Sequence, residues 1–536
     1  MQIYSIGSLT QPLPKTDRAI ALGVFDGVHI GHLAVIAQTK DTGGLTSSIL
    51  TFNQNAKEKP KESLPLFSKD DKQEFLAKTG VDEILDFDFD CLRSLSPEEF
   101  VTKVLRDYLH CKRICCGENT RFGLNGAGDV AVLQTLCEKE HIEVVIAKTV
   151  YCDDTPVSST AIRHCLEEGN LPLATRMLGH SYWIHTPIIE GNHLGESLGF
   201  PTINQPLDPS ILSVKYGVYI SSIDIDDSSY LALTNVGIKP TVGSDYPLAE
   251  TWIPRYTGSL YGKQIKTRLV RFLREEMAFP SLEALKTQIQ NDFQTLEKAF
   301  TPSKQIKAVF FDFDETLQDR TVAFRRYAQR FVSKYFPTLS KEEQELRVQT
   351  MWEQNGNGHA YIGKNPYISY REYFPKIIAL WQWKEAPSID ALIKEVNEML
   401  PSETCLFPGA KEVLQKLRER GFLVGVITNG YSEMQNRKLA LSGLRPLLDL
   451  TVVSGDEGIH KPDGRLFQRA ASRLGVCPEE CLYVGDHPYY DMDGAINGHM
   501  HPVYFDAFDF HHAPASIPRI TNLLDVLTIL EKGDYQ

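Results

Sequence analysis

Leu198-Gly199-Phe200-Pro201-Thr202-Ile203-Asn204, near the middle of a chain of 536 residues, decides how the rest is read. It reads as an apolar strand end that turns at Gly199 and Pro201 and runs on extended, with Thr202 and Asn204 two residues apart on one face. A hydroxyl and an amide oxygen so spaced are hard-oxygen ligands suited to Mg2+ and a phosphate chain. Just upstream, Gly191-Asn192-His193-Leu194-Gly195 is a Gly-rich turn whose backbone N–H groups can approach phosphates. From Tyr182 to Phe272, short runs of Ile, Val, Tyr and Thr alternate with Gly, Asp and Ser, which predicts a small antiparallel β-barrel. After Pro280, Ser281 predicts a helix cap, and Leu282, Leu285, Ile289, Phe293 and Leu296 fall on one helical face. Pro302-Ser303 reads as a linker.

The flanks follow a different rule. Residues 19–22, 48–52 and 144–147 read as strands, and Leu33-Ala34-Val35-Ile36-Ala37 as the opening of a helix, so residues 1–180 predict a doubly wound parallel sheet. A third segment, residues 304–536, restarts with a strand over 306–311, continues through a helical region of about 320–405, and resumes with a helix over 411–420 closed by Gly421 and a strand over 422–427. That order predicts an α/β sheet interrupted by a helical insertion.

Length alone predicts two to four domains. A net charge of −13 excludes a general nucleic-acid binder, which needs a basic face for the phosphate backbone. No run reaches membrane-spanning length, and the first residues carry no basic flank followed by an apolar run. Ten cysteines include no C-x-x-C pair, which predicts reduced thiols rather than a zinc site, and with them a cytoplasmic protein.

With Gly191, Gly195, Thr202 and Asn204 in place, Tyr216-Gly217-Val218-Tyr219, Asn235-Val236-Gly237-Ile238-Lys239-Pro240-Thr241 and Glu250-Thr251 complete a pattern that resembles the riboflavin kinase module of the bifunctional riboflavin kinase/FAD synthetase family. The resemblance implies residues 181–301 as that module, Glu250 as the base on the ribityl 5′-hydroxyl, Thr202 and Asn204 as Mg2+ ligands, and Arg274 at the flavin.

Gly23-Val24-Phe25-Asp26-Gly27-Val28-His29-Ile30-Gly31-His32 joins a strand to a helix, where glycines let the backbone approach a phosphate and the helix N-terminus adds partial positive charge. His29 and His32 are placed to stabilise charge on an α-phosphate. Ser158, Ser159, Thr160 and Arg163 at a second helix start suit a departing pyrophosphate. With Gly117-Glu118-Asn119 and Arg121-Phe122-Gly123, these motifs resemble the adenylyltransferase module of the same family. That implies Gly23, Asp26, Gly27 and Gly31 at the nucleotide and Asn119 at the flavin.

The third segment carries Phe310-Phe311-Asp312-Phe313-Asp314-Glu315-Thr316-Leu317, then Val426-Ile427-Thr428-Asn429-Gly430, Lys461-Pro462-Asp463, and Val484-Gly485-Asp486 with Asp491 beyond. Each motif falls at a strand end, where open α/β sheets bind ligands. In this order they resemble the haloacid dehalogenase superfamily of phosphatases, Rossmann-like with a helical cap. The resemblance implies Asp312 as nucleophile, Asp314 as proton donor and then base, Thr428, Asn429 and Lys461 on the phosphoryl group, and Asp312, Asp314, Asp486 and Asp491 as candidates for the Mg2+ site. Trp352, Tyr361, Trp381 and Trp383 are either a stacking platform for a flat ring or the core of the cap.

The whole predicts a multidomain α/β flavin enzyme that takes riboflavin, FMN, ATP and Mg2+, yields FMN and FAD, and hydrolyses a phosphorylated small molecule. That molecule is a ribityl-pyrimidine phosphate or FMN. A rival reading makes residues 1–300 a flavin- or nucleotide-binding regulator of the phosphatase. It rests on Gln54-Asn55-Ala56, where the family has Pro-His-Pro, and on Leu194 and Glu196, where the family has basic residues.

Overall fold

Three six-stranded sheets organise the chain in the computed structural model, which describes residues 1–40, 42–53, 64–191, 194–226, 228–238, 246–300, 303, 305–355, 369–509, 512–533 and 535. They fall into two compact units, the first built mainly from Met1–Lys304 and the second from Gln305–Leu444, Val452–Phe467 and Glu479–Gln536.

In the first unit, β1 (Gln2–Ile6), β2 (Arg18–Leu22), β3 (Thr46–Asn53), β4 (Glu83–Asp88), β5 (Cys111–Gly117) and β6 (Glu143–Ala147) pair in parallel in the order β1-β4-β3-β2-β5-β6. Every residue of β2 is buried, as a strand covered on both faces requires. The order reverses between β2 and β5, so the crevice at the carboxyl end of β2 is where such a sheet takes a ligand. Glycine-rich sequence after β2 leads into a helix that begins at Ile30, earlier than the sequence pattern suggested, because the His29 side chain caps it. A short hairpin, β7 (Tyr151–Cys152) and β8 (Thr155–Pro156), precedes the helix Ser159–Glu168.

The second sheet is antiparallel: β9 (Trp183–Ile184), β10 (Thr202–Pro206), β11 (Gly217–Ile225), β12 (Ser228–Gly237), β13 (Leu248–Trp252) and β14 (Thr267–Arg274), in the order β10-β13-β12-β11-β14-β9. Past β9, Ile189 bridges to Asn204 of β10, which draws the two edges together as the predicted barrel demands. The helix Leu282–Phe300 follows, with Ser281 Oγ accepting from Ala284 N at 3.2 Å. Leu296 is buried, but Leu282 is 57% exposed, because the first turn precedes the stretch that meets the sheet.

These two sheets share one apolar core, which runs from Ala21 and Phe25 through Leu178, Tyr182 and Trp183 to Tyr219 and Val236. Its centre is aromatic: Phe75 stacks on His180 with ring centroids 4.0 Å apart and on Trp183 at 4.9 Å, and Phe67 lies 5.1 Å from Tyr182. Beside the rings, the buried Asp71 carboxylate accepts from Trp183 Nε1 at 3.2 Å and pairs with His185 Nδ1 at 2.8 Å.

In the second unit, β15 (Ala308–Phe311), β16 (Leu423–Thr428), β17 (Leu450–Val453), β18 (Cys481–Gly485), β19 (His501–Phe505) and β20 (Arg519–Ile520) take the order β17-β16-β15-β18-β19-β20. Central β15 is wholly buried between β16 and β18, parallel to both. The helices Arg320–Tyr335, Lys341–Gln354, Tyr370–Trp381 and Ile389–Met399 form the cap around Phe324, Phe331, Trp352, Tyr373 and Phe374. Trp352 belongs to that core and Trp381 and Trp383 pack against it, so of the two readings of these rings the structural one holds. Tyr361 lies outside the described residues.

All ten cysteines are free thiols. Among the described residues, no helix is long and apolar enough to cross a membrane.

Arg18 is fully buried, with Nε 2.5 Å from Glu83 Oε1, and Ser48 Oγ donates to the same oxygen at 2.7 Å. Removing one partner of such a pair strands a buried charge, so Glu83→Leu is expected to cost the first unit about 3–5 kcal/mol, read as an earlier urea transition.

Candidate active sites

The second unit holds the most charged of three sites. Asp312 follows β15, and its N–H donates to Val484 O at 2.8 Å, which locks the start of the loop to β18. Asp486 follows β18, and the loop returns Asp491, so that oxygens of Asp312, Asp486 and Asp491 lie within 4.8 Å of one another. Lys461 Nζ sits between two of them, 2.5 Å from Asp312 Oδ1 and 2.6 Å from Asp491 Oδ1, and it also donates to Tyr483 Oη at 3.0 Å. Burial pushes the Asp312 carboxyl up to about 7 in spite of Lys461, and the Asp491 and Asp314 charges add to the rise. Burial, with Asp491 and Asp312 beside it, holds Asp486 well above the usual carboxylate range. Both shifts report more negative charge than one lysine offsets. Three converging carboxylates with surplus charge fit a hard divalent cation such as Mg2+.

Asp314 does not join that group. The chain turns after Phe313, with Glu315 at positive φ, and both Asp314 oxygens face Lys438 Nζ at 2.9 Å. Burial would raise this carboxyl, yet Lys438 and Arg320 outweigh burial and hold it below its ordinary range. Of the four candidate ligands, three therefore converge and the fourth is diverted by a cation from the facing helix. On the other side of the pocket, Thr428 ends β16, and Asn429 exchanges two hydrogen bonds with the Lys461 backbone, Nδ2 to Lys461 O at 3.2 Å and Lys461 N to Oδ1 at 2.9 Å.

The second site is a row on the antiparallel sheet. Register sets Asn204 of β10 opposite Glu250 of β13, and Glu250 opposite Asn235 of β12, so the three side chains share a face, with Thr202 two residues along. The other face is sealed by hydroxyls: Ser221 with Thr234 at 2.6 Å and Thr234 with Thr251 at 2.9 Å. Gly191 lies directly against the Asn204 amide of the row, where an added Cβ would collide, while Asn192 and His193 lie outside the described residues. Gly195 approaches the Phe200 carbonyl in the same way. Leu194 and Glu196 fall on the short helix Leu194–Ser197. Arg274, expected at the flavin, is engaged instead by Asp292 of the following helix, Nη2 to Oδ2 at 2.7 Å, because that buried carboxylate needs a cation. Lys239, Pro240 and Thr241 lie outside the described residues.

The third site lies at the carboxyl end of β2. His29 Nδ1 accepts from His32 N at 3.2 Å, and the two rings stack with centroids 3.5 Å apart. Burial lowers His29 to about 3, and burial with His29 and Lys72 nearby holds His32 well below its ordinary value. Both imidazoles are thus neutral, and with Nδ1 of His29 accepting, its proton sits on Nε2 as a hydrogen-bond donor. Gly31 lies against the His29 ring and Gly23 N bonds to Leu50 O. Asp26 ties the site together: Oδ1 accepts from Leu66 N at 2.9 Å, Oδ2 takes Arg163, and its carbonyl accepts from Ser159 Oγ at 2.9 Å. Gly27 follows at positive φ. Ser158 caps the helix Ser159–Glu168 through Ala161 N, and Thr160 is exposed in its first turn. Gln54, Asn55 and Ala56 lie outside the described residues. Beyond the strand ends opens a cleft of ≈ 980 Å³ lined by Phe52, Phe87, Phe89, Arg121 and Phe122, with Asn119 exposed on the turn after β5.

Family models match residues 12–161 as FAD synthetase, 178–300 as riboflavin kinase and 306–499 as haloacid dehalogenase-like hydrolase. A bifunctional riboflavin kinase/FMN adenylyltransferase of Pseudomonas fluorescens is 34% identical over 289 residues, which are 53% of this chain and 93% of that protein. The chain belongs to the bifunctional riboflavin kinase/FMN adenylyltransferase family. The homonymous protein of Escherichia coli K12 is 31% identical over 317 residues, 56% of this chain and 98% of its own. This family member is thus an enzyme that carries a haloacid dehalogenase-like hydrolase domain on the residues its relatives do not cover.

In this riboflavin kinase/FMN adenylyltransferase family chain, several site residues escaped the motifs. Tyr483 Oη lies 2.9 Å from Asp491 Oδ1, Lys72 donates to Thr51 near the histidines, and Glu276 accepts a hydrogen bond from Asn235 of the row. Gln435 and Lys438 offered a signal, two polar residues one turn apart on the face of a helix that must pack on the sheet.

Two tests follow from this geometry. An added Cβ at Gly485 would lie 2.5 Å from Asp491 Cγ, so Gly485→Ala is expected to weaken Mg2+ binding by about 10–100-fold, measured by titrating hydrolase activity with Mg2+. His29, His32 and His180 are buried with lowered pKa, His29 to about 3 and His180 to about 4 against an ordinary 6.5. The unfolded chain therefore binds protons that the folded one refuses, so stability is full above pH ~6.5 and falls as the pH drops towards ~4. Urea midpoints of the first unit should trace that slope, and His29→Asn should flatten it.

Proposed function

We propose that this chain is a cytoplasmic enzyme of flavin cofactor synthesis that phosphorylates riboflavin to FMN with ATP, adenylylates FMN to FAD with a second ATP, and dephosphorylates a ribityl-pyrimidine phosphate that precedes riboflavin. The observation that carries the reading is the Asn204–Glu250–Asn235 row beside Thr202 and the Gly-rich turn. Glu250 takes the proton of the ribityl 5′-hydroxyl, whose oxygen then attacks the γ-phosphorus as ADP departs. Thr202 and Asn204 would hold Mg2+, which supplies charge neutralisation on the phosphates. A regulator of the hydrolase would have no need for a carboxylate in that register.

In the nucleotidyltransferase, a phosphate oxygen of FMN attacks the α-phosphorus of ATP in line and pyrophosphate leaves, with no covalent enzyme intermediate. His29 and His32 donate hydrogen bonds to the α-phosphate as neutral imidazoles, and Arg163, Ser158, Ser159 and Thr160 flank the pyrophosphate. The cleft has the size for an isoalloxazine ring, with Phe52, Phe87 and Phe122 beside the charged side chains of Asp86, Asp88 and Arg121 in its lining.

In the hydrolase, Asp312 attacks the phosphorus, the Asp314 carboxylate takes up a proton from the bound phosphate monoanion and passes it to the departing alcohol, and Asp314 then activates the water that cleaves the aspartyl-phosphate. Thr428, Asn429 and Lys461 hold the phosphoryl oxygens, while Asp312, Asp486 and Asp491 would hold Mg2+. A precursor phosphate is favoured over FMN because hydrolysing FMN beside its own kinase dissipates ATP.

Incubation with riboflavin, ATP and Mg2+, with flavins separated over time, should give FMN and then FAD. Glu250→Gln should slow FMN formation by about 10²–10⁴-fold and leave FAD formation from added FMN intact. Riboflavin unchanged by the wild type would return the regulatory reading. Without ATP, the ribityl-pyrimidine phosphate should release phosphate, and Asp312→Asn should not.

A further inference from the structure

The helix Ser432–Leu441, which follows the Thr428-Asn429-Gly430 loop, buries Gln435, Arg437 and Lys438 along with Leu439. Taking a lysine out of water is costly unless a partner holds it, and here the Lys438 side chain is 3% exposed with both Asp314 oxygens at 2.9 Å. One turn earlier, Gln435 Nε2 lies 3.0 Å from Asp314 Oδ2, 2.9 Å from Thr428 Oγ1 and 3.0 Å from Asn429 O. A single amide thus links Asp314 to the loop at the end of β16, and a single ammonium fixes the carboxylate from the same helix face. Asp314 stands two residues from Asp312, so its charge would otherwise be drawn to any cation among Asp312, Asp486 and Asp491.

We propose that Gln435 and Lys438 are positioning residues of the hydrolase, which hold the Asp314 carboxyl on the leaving-group side of the phosphoryl pocket and away from the cation cluster. The inference rests on the phosphatase reading above, in which Asp312 and Asp314 carry the chemistry. In the first step the bond from Asp312 oxygen to phosphorus forms, the bond from phosphorus to the substrate oxygen breaks, and a proton that the bound phosphate monoanion hands to the Asp314 carboxylate passes to that oxygen. A misplaced Asp314 therefore slows substrates whose leaving oxygen must be protonated. It has little effect on those whose leaving group departs as a stable anion.

The test uses the full chain without ATP, with ribityl-pyrimidine phosphate as the alkyl ester and p-nitrophenyl phosphate as the aryl ester. Lys438→Met is expected to lower kcat/KM for the alkyl ester at least ~10-fold more than for the aryl ester, a part of the range general acid catalysis supplies, and Lys438→Arg to restore part of the difference. An equal fall on both esters, or no fall on either, overturns the proposal. Should Lys438→Met not fold, Gln435→Met is read for the same split, and equal effects there overturn it too. A wild type inert towards both esters sinks the phosphatase reading and this inference together. Wild-type activity lost in Asp312→Asn, combined with an even fall in the Lys438 and Gln435 variants, sinks only the inference.

Discussion

Lys461, buried with its ammonium between Asp312 and Asp491, is the interaction on which the second unit depends. Two carboxylates at the ends of β15 and the β18 loop repel each other in a low dielectric, and the adjacent strands bring them together regardless. One cation holds Asp312 and Asp491 in place but cannot satisfy Asp486 as well. The remaining negative charge suits the pocket to a hard divalent cation. Around it the helix after β16 meets a second, smaller problem in the same way: Asp314 is given its own lysine.

The first unit solves a different problem. Its two sheets handle related substrates, yet neither is charged enough to hold polyphosphates by net field, since the chain carries −13. Local devices replace the field. In the function proposed above, neutral histidines, backbone approach at Gly191 and Gly195, and a helix start near Arg163 would act over a few ångströms, where short distance and burial count for more than net charge. The Asp26 carboxylate shows the consequence, since it ties Arg163 and the Leu66 backbone before any substrate arrives.

Much of this was legible in the sequence because strand ends and helix starts write themselves in glycine, serine and hydrophobic spacing. The parallel and antiparallel sheets, the cap and the aspartate motifs all follow from such signals, and Ser281 caps its helix as its position predicts. What the sequence could not express was partnership across distance. Asp292 lies 18 residues from Arg274 and claims it, and Lys438 lies 124 residues from Asp314 and holds it apart from the cluster of Asp312, Asp486 and Asp491. Trp352, Trp381 and Trp383 carried two readings because a ring that stacks on a ligand and a ring that packs against Phe324 or Phe336 have the same letter. Only packing separates them.

The aromatic cluster of Phe67, Phe75, His180, Tyr182 and Trp183 also bears on how this chain can be taken apart. Motif by motif, the adenylyltransferase half ends near residue 180. A polypeptide stopped there would present Phe67 and Phe75 to water and leave the Asp71 carboxylate without His185 and Trp183. Such a fragment is a candidate for aggregation rather than a working half-enzyme. For gene dissection or recombinant expression, the smallest sensible piece of the flavin-making portion contains both halves, whichever of the two reactions is wanted.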